Sequence, residues 1–294
     1  MTTQQLFFIF DKLEKHGVMS LIFTGGEPLV RKDFFEIYRY AYQKGFQIGI
    51  LTNGVNLGLK KYQDFFSRYP PARVMISMNA ISERTHEKVT GTRGNFARVL
   101  KGVSFLKKKK IPLGFQITLT QLNAHELDGI QAFSRKRRIP YIVTTNICDS
   151  LNQRRKKEIE ALRLSPGIIK ALSCRGKISH EVEEKRKLLK KKGNQFNCTL
   201  VERSFWVDPS GQTFLCAMHR DEPCQDIMKC DLDRLFEEHQ KIVHEKQIRP
   251  EECLSCKFIE RCDFACNAAL RRAKKDTPEE FKYICSSVFS MQNT

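Results

Sequence analysis

No cysteine precedes Cys148 in this 294-residue chain, and no apolar run approaches the roughly 20 residues that a membrane helix needs. The longest apolar stretches, among them Leu21–Phe23 and residues 45–51, fall far short. The N-terminus has no basic region followed by an apolar core, so no export leader is expected and the cytoplasm is the expected location. Acidic residues are scarce as well: 33 stand against 51 Lys and Arg, a net charge of +18. The basic residues cluster at Lys107–Lys110, Arg135–Arg138, Arg154–Lys157 and Lys185–Lys192. Three partners for such charge compete: nucleic acid, an acidic partner such as a peptide, and solvent alone. A strand-binding groove interleaves its cations with stacking aromatics, and these runs do not, which puts nucleic acid last; with no apolar run long enough to span it, no membrane partner is expected.

What is present is ordinary for a globular protein, 41% hydrophobic and 10% aromatic residues, enough for one large core and a smaller one. The eleven cysteines are odd in number and sit in a large chain without an export signal, which excludes a secreted disulfide framework. Clustered cytosolic cysteines point to metal.

Thr2 and Gln5 form a capping box ahead of Leu6, Ile9, Phe10 and Leu13, whose spacing makes one apolar helix face. Short apolar runs then alternate with helical patterns. Strands are predicted at Leu21–Thr24, Gln47–Thr52, Val74–Met78, Leu113–Leu119 and Tyr141–Asn146. Helices are predicted at Phe34–Tyr42, Leu59–Phe66, Phe96–Leu106 and Leu127–Phe133. Repeated strand-then-helix units mean right-handed parallel β/α architecture. From about Asn152 to Gly193 the pattern is helical and highly charged, with Ser165-Pro166 as a helix start and Gly193 as a stop. Beyond it strand signals are weak and cysteines dense. The expected domains are a barrel at 1–150, a helical connection at 151–193 and a cysteine-rich domain at 194–294.

The first strand ends in Gly25-Gly26-Glu27-Pro28, at the C-terminal sheet edge where ligands of parallel sheets bind. Glycine there lets the backbone approach a small polar group, and Glu27 adds a carboxylate suited to an ammonium. A plain glycine turn is the alternative. Thr52-Asn53-Gly54 ends the next strand and Ser77-Met78-Asn79 the one after. His86-Glu87 and Thr90-Gly91 follow before Asn95-Phe96 opens a helix. Together these resemble the radical S-adenosylmethionine (radical SAM) family. The resemblance implies an α/β fold, a (β/α)6-type barrel lacking its first strand. It also implies an S-adenosylmethionine site at Gly25, Gly26, Glu27, Pro28, Asn53, Ser77 and Asn79, the last two at the ribose. The family more often has Asp at the position of Asn79, though an amide still hydrogen-bonds hydroxyls.

The family's Cys-x3-Cys-x2-Cys loop is not among these residues. The resemblance places that loop, with the barrel's first strand, upstream of Met1, so a catalytic 4Fe–4S cluster is expected only in a longer chain.

The C-terminal cysteines run Cys198, Cys216, Cys253-x2-Cys256-x5-Cys262-x3-Cys266 and Cys285. Thiolates select soft metals, and on spacing alone iron–sulfur clusters and tetrahedral zinc both stand. The layout resembles the SPASM extension of radical SAM enzymes that modify peptides and proteins. By that resemblance Cys253, Cys256, Cys262 and Cys285 hold one auxiliary 4Fe–4S cluster, and Cys198, Cys216 and Cys266 the other. For a fourth ligand of the second, some relatives carry cysteine where Ser204 stands. Cys224 and Cys230 are candidates, with a buried thiol or an open iron as alternatives. For Cys148 and Cys174 a metal-free role is favoured.

The implied reaction is reductive cleavage of S-adenosylmethionine to a 5′-deoxyadenosyl radical that takes hydrogen from a peptide or protein side chain. A reducing partner such as a ferredoxin or flavodoxin serves it. Sulfatase maturases place Asp after the second cysteine, where Ala217 stands here, which argues against that substrate. The alternative is a non-catalytic iron–sulfur or zinc protein that kept the barrel as a scaffold.

Overall fold

A computed structural model describes residues 1–145, 147–148, 155–176, 198, 200–219, 225–256 and 267–292. They divide into two compact units, one of Thr2–Thr145 and one of Met1 with Asn146–Thr294.

The first unit is a five-stranded, wholly parallel sheet with helices on one face, in the order β1 (Ser20–Phe23), β2 (Gln47–Thr52), β3 (Arg73–Ser77), β4 (Leu113–Thr118) and β5 (Tyr141–Thr144). Each strand pairs with its sequence neighbour, as right-handed crossovers allow without knotting. The helices are α1 (Thr3–Lys15), α2 (Phe34–Gln43), α3 (Lys60–Arg68), α4 (Glu83–Thr90), α5 (Phe96–Lys108) and α6 (Leu127–Arg137). The expected strands and helices appear, with ends shifted by a residue or two, except that α6 runs four residues past its predicted end at Phe133. The additional α4 is short and polar, starting where the Ser82 side chain accepts from the Thr85 amide. Its mean apolarity is too low for a periodicity reading, and a cap rather than a core-facing stripe starts it.

The capping box of α1 forms as its sequence predicts: the Thr2 hydroxyl accepts from Gln5 N at 3.2 Å, and Gln5 Oε1 from Thr2 N at 2.7 Å. Ile9, Phe10 and Leu13 are buried. On the sheet, Ile48, Ile50, Val74, Ile76, Phe115 and Ile117 are buried in register on the helix-covered face. Behind them Phe23, Phe34, Tyr38 and Phe66 interlock edge to face or tilted. Tyr38 and Phe66 are fully buried, and truncating such an aromatic costs about 3–5 kcal/mol. The alternate strand positions look the other way and include the exposed Ile22 and Ile142. A Cβ on Gly58 would stand 2.4 Å from the Arg98 carbonyl oxygen, so the turn after β2 packs on α5 backbone to backbone. This holds the β2 end rigid.

In the second unit α7 (Lys156–Leu162) and α8 (Pro166–Cys174) come first. Ser165 caps α8 by accepting from Ile168 N, with Pro166 in its first turn, which matches the predicted start; the predicted stop at Gly193 lies outside the described residues. A small antiparallel pair, β6 (Trp206–Val207) and β7 (Thr213–Phe214), leads to α9 (Leu232–Glu245), α10 (Asn267–Asp276) and α11 (Pro278–Gln292). One core joins Val201, Leu215, Val243, Ile248 and Ala268; another joins Leu270, Ala273 and Ile284. Glu280, fully buried, takes Arg272 at 3.0 Å, Arg163 at 3.8 Å and the Thr277 hydroxyl at 2.8 Å. No helix among the described residues is long and apolar enough to cross a membrane.

Candidate functional site

The C-terminal edge of the parallel sheet gathers the loops after β1, β2, β3 and β4. After β1, Gly25 has φ +127°, a backbone region closed to L side chains, while Gly26 has no such constraint. A Cβ on either would meet nothing within 4 Å. The fold therefore demands glycine at Gly25 and leaves Gly26 a vacant cradle beside exposed backbone.

Glu27 is a clamp. Its Oε1 accepts from Leu29 N at 3.1 Å and from the Thr52 hydroxyl at 2.7 Å, and Oε2 accepts from Asn53 N at 2.7 Å. The carboxylate caps the short turn Pro28–Val30 and ties the β1 end to the β2 end. Three of its roughly four acceptor positions are occupied, which leaves one for a ligand. The Leu29 carbonyl accepts from Asn56 Nδ2 at 2.9 Å and from the Tyr62 hydroxyl. Asn53, exposed, turns its Oδ1 onto Val55 N at 3.0 Å, so only its amide N–H groups face outward.

Ser77 is exposed at the β3 end, its hydroxyl free of partners among the described residues. Asn79 Oδ1 accepts from Thr118 N at 2.8 Å, and the Asn79 carbonyl accepts from Asn123 Nδ2 at 2.9 Å. Asn123, buried, also donates to the Thr118 carbonyl and accepts from Thr120 N. Beside it Glu126 accepts from Ile81 N at 2.6 Å, Ser82 N at 3.2 Å and the Ser82 hydroxyl. Burial pushes the Glu126 carboxyl up, but its bonds to Ser82, Thr85 and the Ile81 and Ser82 amides leave it below the usual carboxylate range. Asn123 and Glu126 are bracing residues that sequence reasoning missed, since each acts on a partner far along the chain and no local spacing marks it; Thr52 was noted only as a strand end, and its bond to Glu27 was not foreseen.

His86, Glu87, Thr90 and Gly91 lie in and after α4. Gly91 ends that helix, and Glu87 accepts from Gly94 N at 2.9 Å, so Glu87 and Gly91 shape the loop. His86 is buried and meets Phe96 with its ring tilted at 5.3 Å, and burial holds its imidazole below the usual range.

In the second unit Cys198 and Cys216 pack against the same core of Val201, Leu215 and Val243, so two thiols assigned to one cluster sit on one patch. Cys253 and Cys256 share a tight turn in which Cys256 N donates to the Cys253 carbonyl at 3.3 Å. Burial pushes the Cys253 thiol up, with the Arg249 charge opposing and Cys256 adding to it. Such a thiol ionises readily only against a metal. Cys285 lies on α11 and is half-buried. Cys224, Cys262 and Cys266 lie outside the described residues, and among the described ones no three metal-ligating side chains converge. Ser204 donates to the Leu200 carbonyl at 2.6 Å. His239 on α9 and nearby His219 are both buried; burial, with the charge of His219 adding and that of Glu238 opposing, takes His239 down to about 4.

Residues 1–133 match the family model described as the radical SAM superfamily. Two curated proteins of Methanosarcina barkeri (strain Fusaro) are similar. An AdoMet-dependent heme synthase is 31% identical over 43% of this chain and 36% of its own length. An Fe-coproporphyrin III synthase is 30% identical over 48% of this chain and 35% of its own length. The chain thus matches about a third of the length of these relatives. Among solved structures, anSMEcpe with bound AdoMet and Cp18Cys peptide superposes with TM-score 0.70 at 18% identity, over 100% of this chain and 89% of that one. SuiB of Streptococcus suis bound to S-adenosylmethionine gives 0.63 at 14%, over 95% and 68%. At such identities the likeness is one of fold, and the fold is the partial α/β barrel of those enzymes.

Proposed function

We propose that this chain binds S-adenosylmethionine at the β1–β3 edge and iron–sulfur clusters through its C-terminal cysteines, within a radical SAM enzyme acting on a peptide or protein side chain. The observation that carries the reading is Gly26. Neither its backbone angles nor its surroundings in this chain call for glycine, so the missing side chain answers a ligand. The polar groups left open around it fit the cofactor in kind. The fourth acceptor position of Glu27 suits the amino group, the Ser77 hydroxyl and the outward N–H groups of Asn79 suit ribose oxygens, and the open backbone at Gly25 and Gly26 suits the amino-acid end.

When bound, a reduced 4Fe–4S cluster supplies the electron that cleaves the sulfonium. No residue of Thr2–Thr145 is a cysteine, so the barrel residues assigned here hold and orient the cofactor. In the second unit the thiols of Cys253 and Cys256, offered by one turn, with Cys285 on α11, and those of Cys198 and Cys216, on one core, are the described members of the two auxiliary sets. Cys262 and Cys266 complete them in the same reading. A peptide substrate rests on the seven-cysteine layout.

A second substrate class is favoured by one observation: both M. barkeri relatives carry names of porphyrin-handling synthases and are more similar in sequence than the peptide-bound structures. Iron coproporphyrin is a polycarboxylate and suits a chain of net charge +18. Equilibrium dialysis of iron-loaded protein against labelled S-adenosylmethionine should give about one bound per chain, falling at least about tenfold in affinity in Ser77→Ala/Asn79→Ala, a loss of about 1.4 kcal/mol. Folded, iron-loaded protein that takes up none ends the reading. A saturable Soret shift with iron coproporphyrin, unmatched by bovine serum albumin, transfers the substrate assignment to the porphyrin class.

A further inference from the structure

Helices α1, α2, α5 and α6 run into β1, β2, β4 and β5 through one kind of turn, at the sheet edge opposite Gly25 and Gly26. In each, the residue past the helix donates to the carbonyl three back, and the next donates to the carbonyl five back. That pairing needs a left-handed residue and favours glycine. Gly17 at φ +71° and Gly45 at φ +84° supply it ahead of β1 and β2. Ahead of β4 and β5 stand Lys110 at φ +56° and Arg138 at φ +52°, the only non-glycine residues of positive φ among the described residues. An L side chain there strains the backbone, so something other than the turn selects a cation at both places.

These two cations have neighbours. Val74 N donates to the Pro112 carbonyl at 2.8 Å and Phe115 N to the Pro140 carbonyl at 2.9 Å, which sets the segments entering β3, β4 and β5 side by side. They carry Arg68 and Arg73, Lys107–Lys110 and Arg135–Arg138, all exposed, and no Asp or Glu. No carboxylate pairs with any of these cations among the described residues. Basic residues in the last turn complement a helix dipole, which accounts for Lys107, Lys108 and Arg135–Arg137. It does not account for the strained residues beyond the helix ends.

The chemistry of the edge selects among anionic partners. A single nucleic-acid strand needs open rings to stack on, but Arg137 already covers Phe133 at 3.7 Å and Tyr69 packs on Tyr42 and Phe65. Phosphates favour the N–H groups of helix N-termini, and helix C-termini meet here instead. Stable attachment to an anionic membrane takes an apolar anchor beside the basic patch, and Ile111 and Ile139 of these turns are buried. A run of Asp and Glu needs only flexible cations.

We propose that this basic edge docks an acidic stretch of the peptide or protein substrate, away from the S-adenosylmethionine edge; the inference rests on the proposed polypeptide substrate. Neighbouring strands stand about 4.8 Å apart and an extended chain rises about 3.3 Å per residue, so about four residues cross the three segments.

The test uses the full, iron-loaded chain and a fluorescein-labelled peptide of alternating Glu and Gly, followed by fluorescence anisotropy. Binding should saturate and weaken as salt rises. Replacing Lys108, Lys109, Arg135 and Lys136 together by Gln should weaken it at least about tenfold, whereas replacing Lys185, Lys187, Lys190 and Lys191 by Gln, the same loss of charge, should weaken it less than about twofold. Lys110→Gly with Arg138→Gly should raise Tm, because each turn gains the residue it favours, and should still weaken binding at least about threefold. Equal losses in the two four-residue variants, or a glycine pair that melts higher at unchanged affinity, overturn the proposal and leave the cofactor reading standing. Duplex DNA or phosphatidylserine vesicles that bind more tightly than the peptide, with the same dependence on the four edge residues, overturn it in favour of that surface. A Soret shift with iron coproporphyrin that disappears when those four residues are replaced overturns both the docking site and the polypeptide substrate.

Discussion

Replacing each glycine of the β1 loop with alanine separates what the fold needs from what the ligand needs. Gly25 holds φ +127°, so an alanine there must adopt a backbone region that L residues avoid, at about 1–3 kcal/mol. At Gly26 no positive φ is imposed and the added methyl meets no atom of this chain within 4 Å. The folded state is then unstrained, while the unfolded chain loses freedom, which stabilises by about 0.4–1 kcal/mol. For a unit of this size Gly25→Ala should lower Tm by several degrees and Gly26→Ala should leave it unchanged or slightly raised. The order reverses in binding. A methyl on Gly26 keeps the ligand off the backbone, and losing one hydrogen bond to a charged group costs about 1.5–3 kcal/mol, at least about tenfold in Kd. Thermal unfolding by circular dichroism gives the first quantity and calorimetric titration with S-adenosylmethionine the second. A Gly26→Ala protein with Kd within threefold of the parent would refute the cradle. A Gly26→Ala protein that melts earlier than Gly25→Ala would refute the backbone argument.

Reconstituted chain should carry about eight irons, and Cys256→Ala should remove about four of them along with much of the second unit's folded signal, whereas Cys174→Ala should remove none; stoichiometric zinc overturns the assignment. Glu280→Gln strands Arg272 and Arg163 in a buried site, and removing one partner of such a network costs about 3–5 kcal/mol, read as an earlier urea midpoint for the second unit. Burial lowers the pKa of His86 in the folded state, so the unfolded chain binds the extra proton first. Stability should therefore be full above about pH 6.5 and decline as pH falls below it, and His86→Phe should flatten that slope in unfolding titrations between pH 7 and 5.

The sheet was legible because each parallel strand is a short apolar run whose alternate residues bury against helices, and each helix carries its own stripe. Ile48 and Ile50, Val74 and Ile76, and Phe115 and Ile117 show the period directly. Helix α4 was not legible, since only Thr85 and His86 of it are buried and its start depends on one hydroxyl. The glycines were legible because a missing side chain is a local property. What Glu27 does was not. Its bonds to Thr52 and Asn53 span 25 and 26 residues, and only the pairing of β1 with β2 brings those groups within reach.

Asn79 shows how such a distant contact changes the meaning of a local departure. Family resemblance makes the position a ribose contact usually filled by Asp, and the amide there reads as a weakened copy. In the fold its Oδ1 is already committed to Thr118 N on β4, and Asn123 grips the Asn79 carbonyl from the following loop. A carboxylate in the same pose would spend one oxygen on that bond and offer the ligand a second acceptor; the amide offers two N–H donors instead. Under the proposed reading, contact with a ribose hydroxyl would be preserved but the direction of the hydrogen bond reversed, because the hydroxyl would have to accept. Ser77, free to donate or accept, lies two residues away and can take the complementary role at the neighbouring hydroxyl. Asn79→Asp should therefore keep the β3–β4 tie, and with it the melting temperature, while altering affinity for S-adenosylmethionine. Asn79→Leu should lose both, since Thr118 N is left without its acceptor. A variant pair in which Asp and Leu destabilise equally would show that the Thr118 bond does not hold the edge together.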